Sequence, residues 1–512
     1  MTRIMFTTAR PAARGRWSLP LVMAALGALQ TLAFVQTTAW PLAVVSTALL
    51  ALACGRAAPA RAALLGWAYG FGWLAAGTWW LYVSMQRYGG LPAPLAAAGV
   101  AALAAALSLY LAAAMAAFAR WRRGCAAPDA ALFAALWLLA ELARGVLFTG
   151  FPWVASGYAL VDAPLAALAP WVGVYGLGAL LALAAGLLAH AAAARRGRVA
   201  PVLAALALLG LPGLAALQRF DAPAGALAVT LVQTNVAQDE KFAVERMPEA
   251  MAWLEQALDG ARGQLVVAPE TAVPLLPFQL AEFAPGYWER LAARFAAPGR
   301  AALVGVPLGD FERGYTNSVA GLSDGERYRY DKHHLVPFGE FVPTGFRWFT
   351  EAMNIPLGDF DRGVVDPPSF AVLGQRIGPN ICYEDLFGEE LARRFADPAA
   401  SPTIFANVSN IAWFGDTVAL PQHLNISRLR ALEFQRPMIR ATNTGMTVVI
   451  DARGVVTAQL APGTRGVLEA EVEGRSGVTP FAWWAARFGL WPLAGLAALV
   501  VMLSAGWGRR AA

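Results

Sequence analysis

Acidic residues are scarce in the first part of this 512-residue chain. Up to Gln218 only Asp129, Glu141 and Asp162 occur, and every other carboxylate lies between Asp221 and Glu473. Charged residues make up 14% of the chain against 58% hydrophobic. That balance excludes an ordinary soluble globular protein and points to a polytopic membrane protein carrying one water-facing domain. Histidine is also sparse. His333-His334 and His423 lack cysteine or histidine partners at zinc spacing, which argues against a metal site. Three cysteines, Cys54, Cys125 and Cys382, are too far apart for a disulfide framework, and Cys382 alone lies in the polar part. Lysine occurs twice, at Lys241 and Lys332, among 40 basic residues. A chain that otherwise uses arginine asks for a compact ammonium at those two positions. No phosphate-binding loop is present. The net charge of +6 is mostly arginine at membrane edges, which gives no reason to expect a nucleic-acid partner.

Long apolar runs fall near 17–36, 40–54, 62–84, 93–118, 130–149, 164–192, 199–217 and 483–507. They predict about eight spans, the second of them short. The first run is too long for a signal peptide and lacks a clear cleavage box, so it reads as a retained span. Arg3, Arg10, Arg14 and Arg16 precede the first run, and Arg56 and Arg61 follow the second. Arg120, Arg122 and Arg123 follow the fourth, Arg195, Arg196 and Arg198 the sixth, and Arg509 and Arg510 close the chain. By the positive-inside rule both termini are expected in the cytoplasm and the polar domain outside, in the periplasm or its equivalent. The organisation read from this is a membrane domain over 1–218, an extracytoplasmic domain over 219–480, and a last span with its tail over 481–512. Glu141 and Arg144, three apart in the fifth run, suit either a structural ion pair or a substrate-facing role. The aromatics of Gly150-Phe151-Pro152-Trp153 sit at interface depth, as anchors or as the lining of a lipid entrance.

From Leu227 the pattern changes to short β-branched strands separated by amphipathic helices. Strands are predicted over Leu227–Gln233, Leu265–Ala268, Ala302–Val306, Ser369–Gly378 and Thr403–Asn407, giving a layered α/β domain with reactive residues at strand ends. Cys382 follows one strand and precedes a helix predicted over Leu386–Phe395. Helix amides there would lower the thiol pKa and receive an oxyanion, although a small buried core residue fits the window equally. Glu270 follows Leu265–Ala268, either as a partly desolvated base or as a solvated loop acid. Lys332 stands in Tyr330-Asp331-Lys332-His333-His334, and an ammonium near Cys382 would favour thiolate and stabilise an oxyanion.

Pro269-Glu270, Lys332 with Leu335-Val336-Pro337-Phe338-Gly339-Glu340, and Ile381-Cys382-Tyr383-Glu384 resemble the nitrilase, or carbon–nitrogen hydrolase, superfamily. With the apolar spans, Gly150-Phe151-Pro152-Trp153, Leu231-Val232-Gln233, Ala412-Trp413-Phe414-Gly415-Asp416 and Arg440-Ala441-Thr442-Asn443, the whole chain resembles the apolipoprotein N-acyltransferase family. The resemblance implies an αββα sandwich in which Glu270 is base, Cys382 nucleophile and Lys332 oxyanion partner. Glu340 would support them, with Tyr383 and Glu384 shaping the pocket. Phe242, Trp413, Phe151 and Trp153 become candidate substrate contacts. It implies ping-pong transfer from a membrane phospholipid, through a Cys382 thioester, to the α-amine of a diacylglyceryl-cysteine on an apolipoprotein, by a monomer without a cofactor. Phe242, Ile411 and Thr444 depart from the family pattern, which has tryptophan, aspartate and asparagine there. A membrane-anchored amidase passing the thioester to water would keep the same triad. Gly321-Leu322-Ser323-Asp324-Gly325 matches a serine-hydrolase elbow, but Glu326–Tyr330 alternates like a strand, so a hairpin is predicted.

Overall fold

The computed structural model describes residues 18–324, 327–343 and 359–508. Arg3, Arg10, Arg14, Arg16, Arg509 and Arg510, on which part of the orientation argument rests, lie outside the described residues. Among the described residues, five helices are long and apolar enough to cross a membrane: Ser18–Val35, Thr37–Cys54, Ala93–Trp121, Ala126–Thr149 and Pro164–Ala193. A sixth is counted if Pro480–Phe488 and Trp491–Gly506, bent by 86° to each other, form one span. The expected count of about eight is therefore only approximate. The run at 62–84 folds as Pro59–Gly77, whose arginine, glycines and aromatics lower its apolarity, and Val199–Gly210 is short.

Among the described residues, twelve strands form two six-stranded sheets, one in the order β12-β1-β2-β3-β4-β5 and the other β11-β10-β9-β8-β7-β6. The first sheet comprises β1 (Asp221–Gln233), β2 (Leu265–Val267), β3 (Ala301–Asp310), β4 (Gly314–Leu322), β5 (Tyr328–Asp331) and β12 (Gly466–Gly477). The second comprises β6 (Phe370–Val372), β7 (Gln375–Ile381), β8 (Ile404–Ser409), β9 (Met438–Thr442), β10 (Val448–Ile450) and β11 (Val456–Gln459). Alternation along the strands builds the layers, because successive side chains point to opposite faces. Leu265, Val267, Ala301 and Leu303 meet Ile404, Ala406 and Val408 in one core between the sheets. Val266, Ala302 and Val304 turn outward onto Met251, Leu254 and Leu258 of the helix Met247–Gly260. On the far side Phe405 and Met438 pack on Phe434, Phe481 and Ala485. The domain is thus the expected αββα sandwich.

Two predicted features resolve differently in detail. The run Ser369–Gly378 is a hairpin, turning at Leu373 (φ 50) and Gly374 (φ 78), and the helix after Cys382 is shortened to Gly388–Ala392. At the elbow-like motif β4 runs antiparallel to β5, with Gly321 opposite Tyr328, so this is a hairpin; residues 325–326 at its tip lie outside the described residues.

The sandwich sits on the helices through one continuous apolar seam, in which Tyr383, Leu386 and Phe387 join Trp153, Tyr158 and Leu177. Gly173 interrupts its helix at φ 65, where any side chain would strike the Phe481 ring. The neighbouring Val174 N–H donates to Glu433 of the sandwich at 2.6 Å. Backbone freed by the kink is thereby satisfied by the other half of the molecule.

Candidate active site

Three strand ends converge. Glu270 follows β2, Lys332 follows β5, and Cys382 follows β7. Lys332 Nζ lies 3.5 Å from Glu270 Oε1 and 2.9 Å from Glu340, so one ammonium is shared by two carboxylates. All three side chains are buried. Asn317 on β4 donates through Nδ2 to Glu270 Oε1 and to Glu340 Oε1, each at 2.7 Å. The Asn410 N–H donates to Glu270 Oε2 at 2.7 Å, and Val336 N–H to Glu340 Oε2 at 2.8 Å. Burial works against the Lys332 ammonium, but Glu340 and then Glu270 hold its pKa above the ordinary lysine value.

Cys382 adopts φ 52, a left-handed conformation uncommon for a side chain larger than glycine. The Asn407 amide donates to its carbonyl at 3.2 Å. The thiol pKa is pushed up to about 12, first by burial and then by the Glu270 charge, with Lys332 and the Ser409 hydroxyl pulling the other way. The expected lowering by helix amides is overturned. Residues Cys382–Leu386 form a single 3-10 turn, and so short a segment supplies little dipole against that desolvation. A nucleophile here must surrender its proton as it attacks, and Glu270 is the carboxylate beside it.

Glu384 is an anchor in this geometry. It accepts from Tyr330 Oη at 2.5 Å, Ile381 N–H at 2.6 Å, His333 N–H at 2.7 Å and His334 N–H at 3.2 Å. One carboxylate therefore locks the Lys332 loop to the strand that presents Cys382. Tyr383, the residue after Cys382, donates to the Gly150 carbonyl of the membrane half at 3.1 Å. Beneath them, His423 Nε2 lies 3.1 Å from Asp385 Oδ1 and 3.3 Å from the Cys382 carbonyl. Arg440 reaches the His423 carbonyl at 2.8 Å, and Ser427 bonds both Asp385 and Arg440.

The substrate-contact candidates divide. Trp153 is buried, with its indole N–H donating to Gln422 at 2.8 Å and its ring near Trp80, Phe414 and His423. Phe151 is half-buried, and its carbonyl accepts from Arg144 at 2.8 Å. Trp413 meets the Tyr88 ring edge-on at 5.6 Å, and Phe242 is 54% exposed. Glu141 and Arg144 form the structural pair at 3.5 Å, both buried. Asn317, Ser409, Asp385 and His423 were not singled out as site residues from the sequence. Asn317 stands in the polar run Thr316-Asn317-Ser318 of β4, which does not set it apart from its neighbours.

A two-sheet sandwich bringing glutamate, lysine and cysteine together at its strand ends is a carbon–nitrogen hydrolase domain. A model of the carbon-nitrogen hydrolase family matches residues 228–480, and one of the apolipoprotein N-acyltransferase N-terminal domain matches residues 26–187. An apolipoprotein N-acyltransferase of Verminephrobacter eiseniae is 55% identical over 452 residues, 84% of each chain. One from Ralstonia nicotianae is 45% identical over 511 residues, 98% of this chain and 95% of that one. Among solved structures, the C. elegans NitFhit protein aligns with 49% of this chain and 62% of its own at 18% identity, with a TM-score of 0.38. The chain belongs to the apolipoprotein N-acyltransferase family, and it is a membrane protein with a nitrilase-like domain.

Proposed function

We propose that this enzyme moves a fatty acyl chain from a membrane phospholipid to the N-terminal α-amine of a diacylglyceryl-cysteine on an apolipoprotein. The observation that carries this reading is the contact between the nucleophile's neighbour and the membrane half, from Tyr383 to Gly150. A reactive thiol seated against the helices suits a lipid donor. Glu270 takes the Cys382 proton as sulfur attacks the ester carbonyl carbon. Lys332 faces the oxyanion of the tetrahedral intermediate. Collapse expels the lysophospholipid alkoxide, which takes the proton from Glu270, and leaves a thioester. The acceptor amine then attacks the thioester, Glu270 receives its proton, and the thiolate leaves to be reprotonated as the amide forms. Glu340 holds Lys332, while Glu384 and Tyr383 hold the nucleophile's turn. The catalytic domain faces the periplasm, both termini are cytoplasmic, and the enzyme works as a monomer without a cofactor.

A membrane-anchored amidase would need only one span, whereas five or six apolar helices and full-length relatives accompany the domain here. Intact mass of wild type and Cys382→Ser, after phospholipid and then a diacylated lipopeptide, tests the reading. An acyl adduct is expected on wild type alone, disappearing as the lipopeptide gains an amide-linked chain. An adduct lost to water with the lipopeptide unchanged would favour the amidase.

A further inference from the structure

Both lysines of the chain converge on one residue. Lys332 approaches the Glu270 carboxylate, and Lys241 donates through Nζ to the Glu270 main-chain carbonyl at 2.9 Å. Lys241 is buried in the loop that follows β1, in a turn closed by its own N–H on the Ala237 carbonyl at 3.0 Å. Gln238 clamps the same loop by accepting from Asn410 Nδ2 at 2.8 Å, and Asn410 is the residue whose N–H holds Glu270 Oε2. The loop thus grips the base from two sides. Its own acids point elsewhere: Asp239 and Glu240 are exposed and lie 4.0 Å from Arg87 and 3.9 Å from Arg246.

Charge balance gives the second lysine its significance. Glu270 and Glu340 share Lys332, and Glu384 also lies close enough for its charge to act on that ammonium. With Lys332 as sole cation, a buried site would carry an excess of negative charge, which is costly in a low-dielectric interior and holds a thiol protonated. Lys241 faces Glu270 and Cys382, and among the described residues no carboxylate oxygen lies within ion-pair distance of it. Its charge is not spent on a salt bridge.

We propose that Lys241 is a second positioning cation of the site, holding Glu270 through its carbonyl and offsetting the negative charge that moves onto sulfur when Cys382 passes its proton to Glu270. The proposal rests on Cys382 being the nucleophile. It assigns the two lysines separate tasks: Lys332 organises the carboxylates, and Lys241 supports the base from behind and lowers the excess charge felt by the thiol.

Three full-length variants separate charge from packing, each checked for a wild-type melting temperature. Lys241→Gln keeps a donor for the Glu270 carbonyl and loses the charge; Lys241→Arg keeps the charge. Lys241→Met repeats the neutral test should the glutamine variant not fold. Two rates are read: single-turnover acylation by a defined phospholipid, and iodoacetamide alkylation of the Cys382 peptide between about pH 6 and about pH 7.5, below the value of about 8 to which burial lowers the Lys241 ammonium. The neutral variants are expected to slow acylation about tenfold and to move the alkylation profile alkaline by about one pH unit. The arginine variant should keep the wild-type profile. A neutral variant with an unmoved profile would overturn the role of Lys241, whatever its turnover. Absence of any acyl adduct on wild-type Cys382 would instead overturn the nucleophile assignment, and this proposal with it.

Discussion

Two buried glutamates, one in each half of the molecule, show how similar burial serves different ends. Glu141 accepts from Ser156 N–H at 2.7 Å and Ser156 Oγ at 2.8 Å and faces Arg144 at 3.5 Å, while Arg144 spends another donor on Phe151. One carboxylate meets one guanidinium, and the surrounding donors belong to the membrane half. Glu270 is as well hydrogen-bonded, but it competes with Glu340 for one ammonium and lies beside a thiol. The first arrangement is closed and neutral. The second keeps an excess of negative charge, which a passing proton can relieve. Hydrogen-bond satisfaction alone does not tell a structural acid from a reactive one; the charge balance around it does.

The largest expected effect breaks this comparison in two directions. Glu270→Gln is expected to lower acyl transfer by about 10²–10⁴-fold with little change in melting temperature, since the base is gone and an amide fills its place. Glu141→Gln should leave transfer per folded molecule within about threefold. It leaves Arg144 buried without its counter-charge, a change that typically costs about 3–5 kcal/mol. Thermal unfolding and single-turnover rates on both variants check the pattern. A Glu141→Gln enzyme that stays fully stable but inactive would place that pair in the chemistry.

A smaller effect sharpens the contrast through pH. Because the Cys382 thiol is pushed up to about 12, its alkylation rate should climb about tenfold per pH unit above neutrality and not level off near 8.5 as a free thiol does. The same shift has a stability consequence of definite sign. Above about pH 8.5 the unfolded chain releases this proton while the folded one keeps it, so stability falls as pH rises toward 12. Cys382→Ser should flatten that alkaline loss in a denaturant titration. An alkylation plateau below pH 8.5 would show that the resting site already holds thiolate.

Much of this contrast was legible in the residues because it follows from strong local patterns. The strand before Glu270, Leu265–Val267, is an apolar β-branched run, and the acids missing before Gln218 mark the division between the halves. The turn at Leu373-Gly374 had a local signal in Gly374-Gln375-Arg376, which interrupts the apolar residues, but reading 369–378 as one strand passed over it. Local pattern could not give Asn317 or His423, whose roles come from strands and helices distant in sequence. Trp153 shows the limit from the other side. Its motif predicts interface depth, but only tertiary packing shows that its indole N–H is spent on Gln422, 269 residues away. The raised thiol pKa was hidden too, since desolvation depends on what closes over a residue rather than on the turn that follows it.

The smallest expected effect concerns Phe242, beside the buried Lys241 on the same loop. An exposed aromatic has two readings: a scattered surface residue, which needs no explanation, or a contact for an acyl chain. They separate cleanly because Phe242 is 54% exposed. Truncation removes little packing, so Phe242→Ala should change stability by no more than about 0.5 kcal/mol on either reading. If the ring meets the donor or the acceptor, the substrate concentration for half-maximal rate should rise about threefold to tenfold, with the maximal rate nearly unchanged, as expected for lost uniform binding. Phe242→Trp should then bind at least as tightly as wild type, having a larger apolar face and an added indole N–H. Unchanged kinetics in both variants would assign Phe242 to the bare surface. The functional part of the loop would then end at Lys241, where its charge faces Glu270 and Cys382.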